Sequence, residues 1–170
     1  MIKRIIKQQL LRRRGINVDL KTNINYDVRV NKGLLGDDFA PIIIKESNVQ
    51  FAEIGEGCFI EYACVYGNIE LGQFVSISGP GAILHSEIGK IKIGNFTSIA
   101  ANVSIQEFNH QLDKASTYAI HHKIFCNEKE KDWTSKGDVE IGEDVWIGSN
   151  VVVLSGIKIG RGGYVEQEVL

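Results

Sequence analysis

Asn109 and His110 stand side by side at the head of "NHQLDKASTYAI", ahead of Asp113, Ser116, Thr117 and Tyr118. Imidazole has an ordinary pKa of about 6.5, so near neutrality it is largely uncharged and free to accept a proton. A histidine held in place here would serve as a general base toward a hydroxyl or an amine. No nucleophile motif accompanies it, so a covalent enzyme intermediate is not expected. The same residues leave a second chemistry open. His85, His110, His121, His122 and Cys126 include the ligand types that hold zinc. The plain alternative is that a single histidine in a repetitive chain is polar surface.

What must position His110 is a repeat that this segment interrupts. From Ile54 the sequence reads IGEGCF and IEYACV, then LGQFVS and ISGPGA from Leu71, with a weaker unit from Ile83. It continues as IGNFTS from Ile93 and IAANVS from Ile99, reaches Ile105, and returns as IGEDVW from Ile141. IGSNVV, VLSGIK and IGRGGY follow, and Val165 opens the last unit. An aliphatic residue comes first in each of thirteen units, with a small residue often second and a small or β-branched one fifth. A period of six fits neither a helical stripe nor simple alternation. It fits a short strand followed by a turn, with the aliphatic residue inward and the small residue allowing a tight bend. Three such strands make one coil, and coils must stack to bury their apolar rows. A β-sandwich with fortuitous spacing is the rejected alternative. By the same six-residue count, Cys58 and Cys64 occupy matching inward positions.

Between about 107 and 138 the period is lost and then regained in phase. A stretch of that length exceeds the ~12–15 residues usual for a structureless connector, which favours a functional excursion. Residues 1–15 read as a basic amphipathic helix, with Ile2, Ile5, Ile6, Leu10 and Leu11 opposite Lys3, Arg4, Lys7 and Arg12 to Arg14. Covering the open end of the stack is preferred to contact with an anionic membrane surface. The rest, 16–170, is one β-helix domain whose residues 16–50 form irregular early coils.

Composition narrows the classes. A net charge of −2 offers no general attraction to nucleic acid. An odd cysteine count of three points to free thiols in a reducing compartment. No apolar run approaches the ~20 residues of a membrane span, and charges interrupt the opening segment too often for a signal peptide. A cytoplasmic location is expected.

These hexads resemble the repeats of left-handed parallel β-helix acyltransferases, over Ile54 to Val165. "NHQLDKASTYAI" resembles the corresponding segment of the xenobiotic acetyltransferases and polysaccharide O-acetyltransferases, with Ala119 where that branch usually has proline. "GEDVWIGSNVVVLSGIKIG" is similar to the family's DVWIG coil. The resemblance implies an all-β fold, a left-handed parallel β-helix with a long excursion loop and a short N-terminal helix. It implies a homotrimer with active sites between subunits, and direct transfer of acetyl from acetyl-CoA with His110 as general base. Asn109 is then either a loop anchor or an acceptor contact, and Tyr118 either an acceptor contact or a loop anchor. Trp146, Gly148, Ser149, Lys158 and Arg161 would hold the coenzyme, with the Gly148 N–H facing the oxyanion. No metal is expected. The acceptor expected is a sugar hydroxyl in surface-polysaccharide assembly, small or lipid-linked. A sugar amine or an antibiotic hydroxyl would suit the same chemistry. Two alternatives come from other classes. One is a zinc enzyme like the γ-class carbonic anhydrases. The other is a non-catalytic trimeric scaffold, because the relatives continue past the last hexad whereas this sequence ends at "GYVEQEVL".

Overall fold

The computed structural model describes residues 2–25, 27–31, 40–126 and 132–166, and the statements below concern these. Short parallel strands, most of them two to four residues long, wind into stacked coils of triangular section. The register shows three inward columns. One runs Val18, Ile44, Ile60, Ile77, Ile99, Ile147, Val165. The second runs Ile24, Val49, Val65, Leu84, Ile105, Val153. The third runs Val30, Ile54, Leu71, Ile93, Ile141, Ile159. Most of these side chains are fully buried and together form the single core. Each buried isoleucine contributes about 1.5–3 kcal/mol, and β-branched side chains suit the pleated wall.

The prism starts earlier than the hexads do. Ile16–Val18, Asn23–Ile24 and Arg29–Asn31 form a coil that pairs in parallel with Ile42–Lys45 and Asn48–Gly55. The segment 16–50 therefore contributes regular ladders rather than irregular coils, while residues 26 and 32–39 lie outside the described ones.

Two sequence expectations change where a corner departs from six residues. Val65 follows Ile60 after five, so Ala63 and Val65 point inward and Cys64 faces out, only half-buried. Cys58 is buried as expected, and burial pushes its thiol up to about 12. Leu84 follows Ile77 after seven, because the Gly79–Pro80–Gly81 turn adds a residue. Leu84 is therefore the inward residue and Ile83 is 43% exposed.

The second-position glycines serve a different purpose from the one expected. Gly55, Gly72, Gly94 and Gly142 stack in register, and none of them has positive φ. The left-handed residue comes two places later; it is Gly57 (φ 68°) in the first unit but Phe74 (φ 56°), Phe96 (φ 62°) and Asp144 (φ 55°) in the other three. Such a conformation costs a side chain about 1–2 kcal/mol. Coil-on-coil contact offsets it, as in the Phe74–Phe96 ring stack with centroids 5.5 Å apart. The glycines are there because the next coil passes too close for a Cβ. One built on Gly94 would lie 2.5 Å from the Gly142 carbonyl carbon.

Helix α1, Ile2–Arg13, lies against the first strand of the prism. Leu11 is buried in the core, Gln8 Nε2 donates to Val18 O at 3.2 Å, and Arg14 Nη2 donates to Val28 O at 2.6 Å. Packing of this kind is what a cap on the first coil would make, while Ile6 and Leu10 stay about half exposed and the side chains of 2–5 lie outside the described ones. Leu11→Ala should cost about 3 kcal/mol, seen as a lower urea midpoint, and an unchanged midpoint would remove the capping role. Among the described residues no helix is long and apolar enough to cross a membrane.

Candidate active site

The excursion leaves the prism after Gln106, at the corner between the second and third columns, and the ladder resumes at Val139. Its neck is held by a buried carboxylate. Glu107 is fully buried, its Oε2 accepts from the Ile88 N–H at 3.0 Å, and its Oε1 meets the Ser135 hydroxyl. The outgoing and returning limbs are thereby fixed to each other and to the turn below. Phe108 follows, edge-on to His85 with ring centroids 4.8 Å apart and to Trp133 at 6.1 Å.

Above the neck the limbs form a small antiparallel ribbon. Asn109–His110 pairs with Trp133–Thr134, and His110 lies opposite Trp133. The chain then folds over through helix α2, Ile120–Lys123, where the Asp132 carboxylate accepts from the His122 N–H at 2.7 Å. Burial works against charge on Asp132, but the N–H groups of His122 and His121, with the neighbouring positive charges, hold it below its ordinary range. The sign follows: this stabilisation is present above the ordinary carboxylate pKa and is lost as pH falls below about 4. Exchange of the His122 amide, corrected for its intrinsic rate, should speed up over that window. Constant protection from neutral pH to pH ~3 would contradict the linkage.

The loop decides which nitrogen of His110 can work. His110 Nδ1 lies 2.7 Å from the Thr117 carbonyl oxygen. A carbonyl only accepts, so Nδ1 carries the hydrogen and Nε2 keeps its lone pair in the neutral ring. His110 is exposed and lines a cleft of about 640 Å³ with Leu112, Asp113, Lys136, Leu154 and Ser155. That arrangement suits proton abstraction from a small molecule entering the cleft.

The other sequence-designated residues are spread more widely. Asn109 lines the cleft, but its Nδ2 donates to Ser155 Oγ at 2.9 Å, so its amide anchors the ribbon to the prism. Tyr118 is 57% exposed and borders a separate hollow with Lys114, Ser116 and His121. Trp146 is 47% exposed on the first face, in register between Ser98 and Tyr164. Gly148 is buried, and its N–H donates to Val165 O at 2.8 Å, so the ladder takes up the donor expected for the oxyanion. Ser149 is exposed at the following corner. Lys158 Nζ pairs with Glu140 Oε1 at 2.8 Å, and Arg161 Nε with Glu143 Oε2 at 3.7 Å. Lys158 ends an outward row of mixed charge on the third face, Arg29–Glu53–Glu70–Lys92–Glu140–Lys158, which is a solvated surface. None of these five lines the His110 cleft within one chain.

The remaining histidines have ordinary partners. His85 Nε2 meets Glu87 Oε1 at 2.8 Å, His121 lies beside Phe125, and His122 beside Trp133. Trp133, between the Phe108 and His122 rings, anchors the loop. Among the described residues no three His, Cys, Asp or Glu side chains gather to hold a metal. Sequence reasoning missed Glu107, Ser135, Ser155 and the Thr117 carbonyl. Thr117 was visible as part of the segment, but a backbone acceptor leaves no trace in residue type.

The family model of the bacterial transferase hexapeptide (six repeats) matches residues 138–169. A chloramphenicol acetyltransferase of Morganella morganii is 36% identical over 58% of this chain and 55% of its own. A galactoside O-acetyltransferase of Lactococcus lactis is 29% identical over 65% of this chain and 49% of its own. The chain thus spans about half the length of the curated relatives it matches. Among solved structures, the acetyltransferase domain of PglB from Neisseria gonorrhoeae FA1090, in complex with acetyl coenzyme A, aligns over 92% of this chain and 63% of its own. Its sequence identity is 15% and its TM-score 0.39, a likeness too loose to bear on the site. Its parallel ladders and six-residue units are those of a left-handed hexapeptide-repeat β-helix, and over more than half of its length the chain is similar to acetyltransferases.

Proposed function

We propose that this chain transfers an acetyl group from acetyl-CoA to a hydroxyl, with His110 as the general base. The observation that carries this reading is the 2.7 Å contact between His110 Nδ1 and the Thr117 carbonyl, which leaves Nε2 as the proton acceptor in the cleft. The acceptor hydroxyl gives its proton to Nε2 as its oxygen attacks the thioester carbonyl carbon. A C–O bond forms, the C–S bond breaks, and the departing thiolate takes the proton back from the imidazolium. No acyl-enzyme is needed.

The site is completed in a homotrimer. Trp146, Ser149, Lys158 and Arg161 lie away from the His110 cleft of their own chain. For them to touch a coenzyme that reaches His110, a neighbouring prism must present them. Gly148 is left in its packing role.

The acceptor proposed is a sugar hydroxyl in surface-polysaccharide assembly, supported by the similarity to a galactoside O-acetyltransferase. A second reading, an antibiotic hydroxyl, has its own support. Leu112, 84% exposed, and Leu154, 48% exposed, give the cleft an apolar rim. The test is calorimetric titration of acetyl-CoA into the full chain, followed by thiol release against a panel of sugars and hydroxylated antibiotics. Binding followed by turnover on one class assigns the acceptor. No detectable binding would overturn the transferase reading in favour of a scaffold.

A further inference from the structure

One group at the cleft is left unused by the general-base chemistry. Ser155 is only 4% exposed, at the corner that follows the strand Val152–Leu154. Its Oγ accepts from Asn109 Nδ2 at 2.9 Å and from the Lys136 N–H at 3.3 Å. Asn109 belongs to the outgoing limb of the excursion and Lys136 to the returning one, so one hydroxyl gathers both. The adjoining backbone is equally close: the Gly156 N–H donates to Gly137 O at 2.8 Å, and a Cβ on Gly156 would lie 2.9 Å from Lys136 O.

We propose that Ser155 is a positioning residue for His110, acting through Asn109. Successive side chains of a strand point to opposite faces. Pinning the Asn109 amide to the prism therefore turns the His110 ring outward, to where the Thr117 carbonyl meets Nδ1. The neck at Glu107 fixes where the ribbon starts, and Ser155 fixes its tilt. A ribbon that pivots by an ångström misaligns the base with the acceptor proton, and misplacement of that size costs up to about a hundredfold in rate.

The part of this inference read by activity rests on the acetyl-transfer reading; the part read by spectroscopy does not. Ser155→Ala, Asn109→Ala and the double variant are compared with the full-length chain by two measurements. Nitrogen NMR of the His110 ring should show the Nδ1–H tautomer in the parent and a mixture of tautomers in both single variants. For an acceptor that turns over, kcat should fall about tenfold in each single variant with KM for acetyl-CoA unchanged, and the double should be no slower than the slower single. An unchanged tautomer in Ser155→Ala, or losses that multiply in the double, would overturn the proposal. A merely structural serine would lower stability and leave the tautomer alone. If the parent transfers acetyl to no acceptor, the function reading fails, and the NMR comparison still decides the role of Ser155. If Ser155→Ala does not fold, Asn109→Ala decides it, because that variant keeps the bond from Lys136.

Discussion

His110→Ala is expected to lower kcat for acetyl transfer by about a thousandfold, the middle of the range that a positioned general base supplies. Binding of acetyl-CoA should hardly change, because in one chain none of the residues proposed for the coenzyme lines the His110 cleft. Stability should also stay close to that of the parent. His110 is exposed, and the bond it gives up, to the Thr117 carbonyl, is worth about 1 kcal/mol. Release of CoA thiol under saturating acceptor measures the first effect, and calorimetry the second. A variant that keeps a tenth or more of the parental kcat would show that the proton leaves by another route.

The second large effect is on the fold. Gly94→Ala is expected to destabilise by about 3 kcal/mol and to lower Tm by about 10 °C. The new methyl would lie 2.5 Å from the Gly142 carbonyl carbon and 2.6 Å from the Glu143 nitrogen. Both are backbone atoms, so no side chain can swing aside, and one coil must move off the next. Gly160 holds the same place in its hexad, yet among the described residues no atom lies within 4 Å of where its Cβ would be. Gly160→Ala should therefore cost less than about 0.5 kcal/mol, as surface substitutions do. Equal costs at the two positions would show that the hexad glycine is needed for its conformation and not for the closeness of the coils.

The six-residue period is legible in the order of residues, and with it most of the fold. Residues such as Ile60, Ile77, Ile99 and Ile147 each open a unit because a strand wall must bury one side chain per unit. Hydrophobicity is local information that a linear reading can count. The same reading found the excursion and placed His110 in it, since a broken period shows wherever it falls. Contacts between distant residues settle what counting could not. Whether Ile83 or Leu84 points inward depends on one extra residue in the Gly79–Pro80–Gly81 turn, and a slip of one residue reverses every face. Why Gly94 must be glycine depends on a coil 48 residues further along the chain. The state of His110 depends on a carbonyl seven residues away, and the tilt of its strand on a serine 46 residues beyond Asn109. These are backbone and long-range contacts, and residue type at either end does not encode them. Only when the chain closes on itself does an Asn-His pair become a base with a chosen nitrogen.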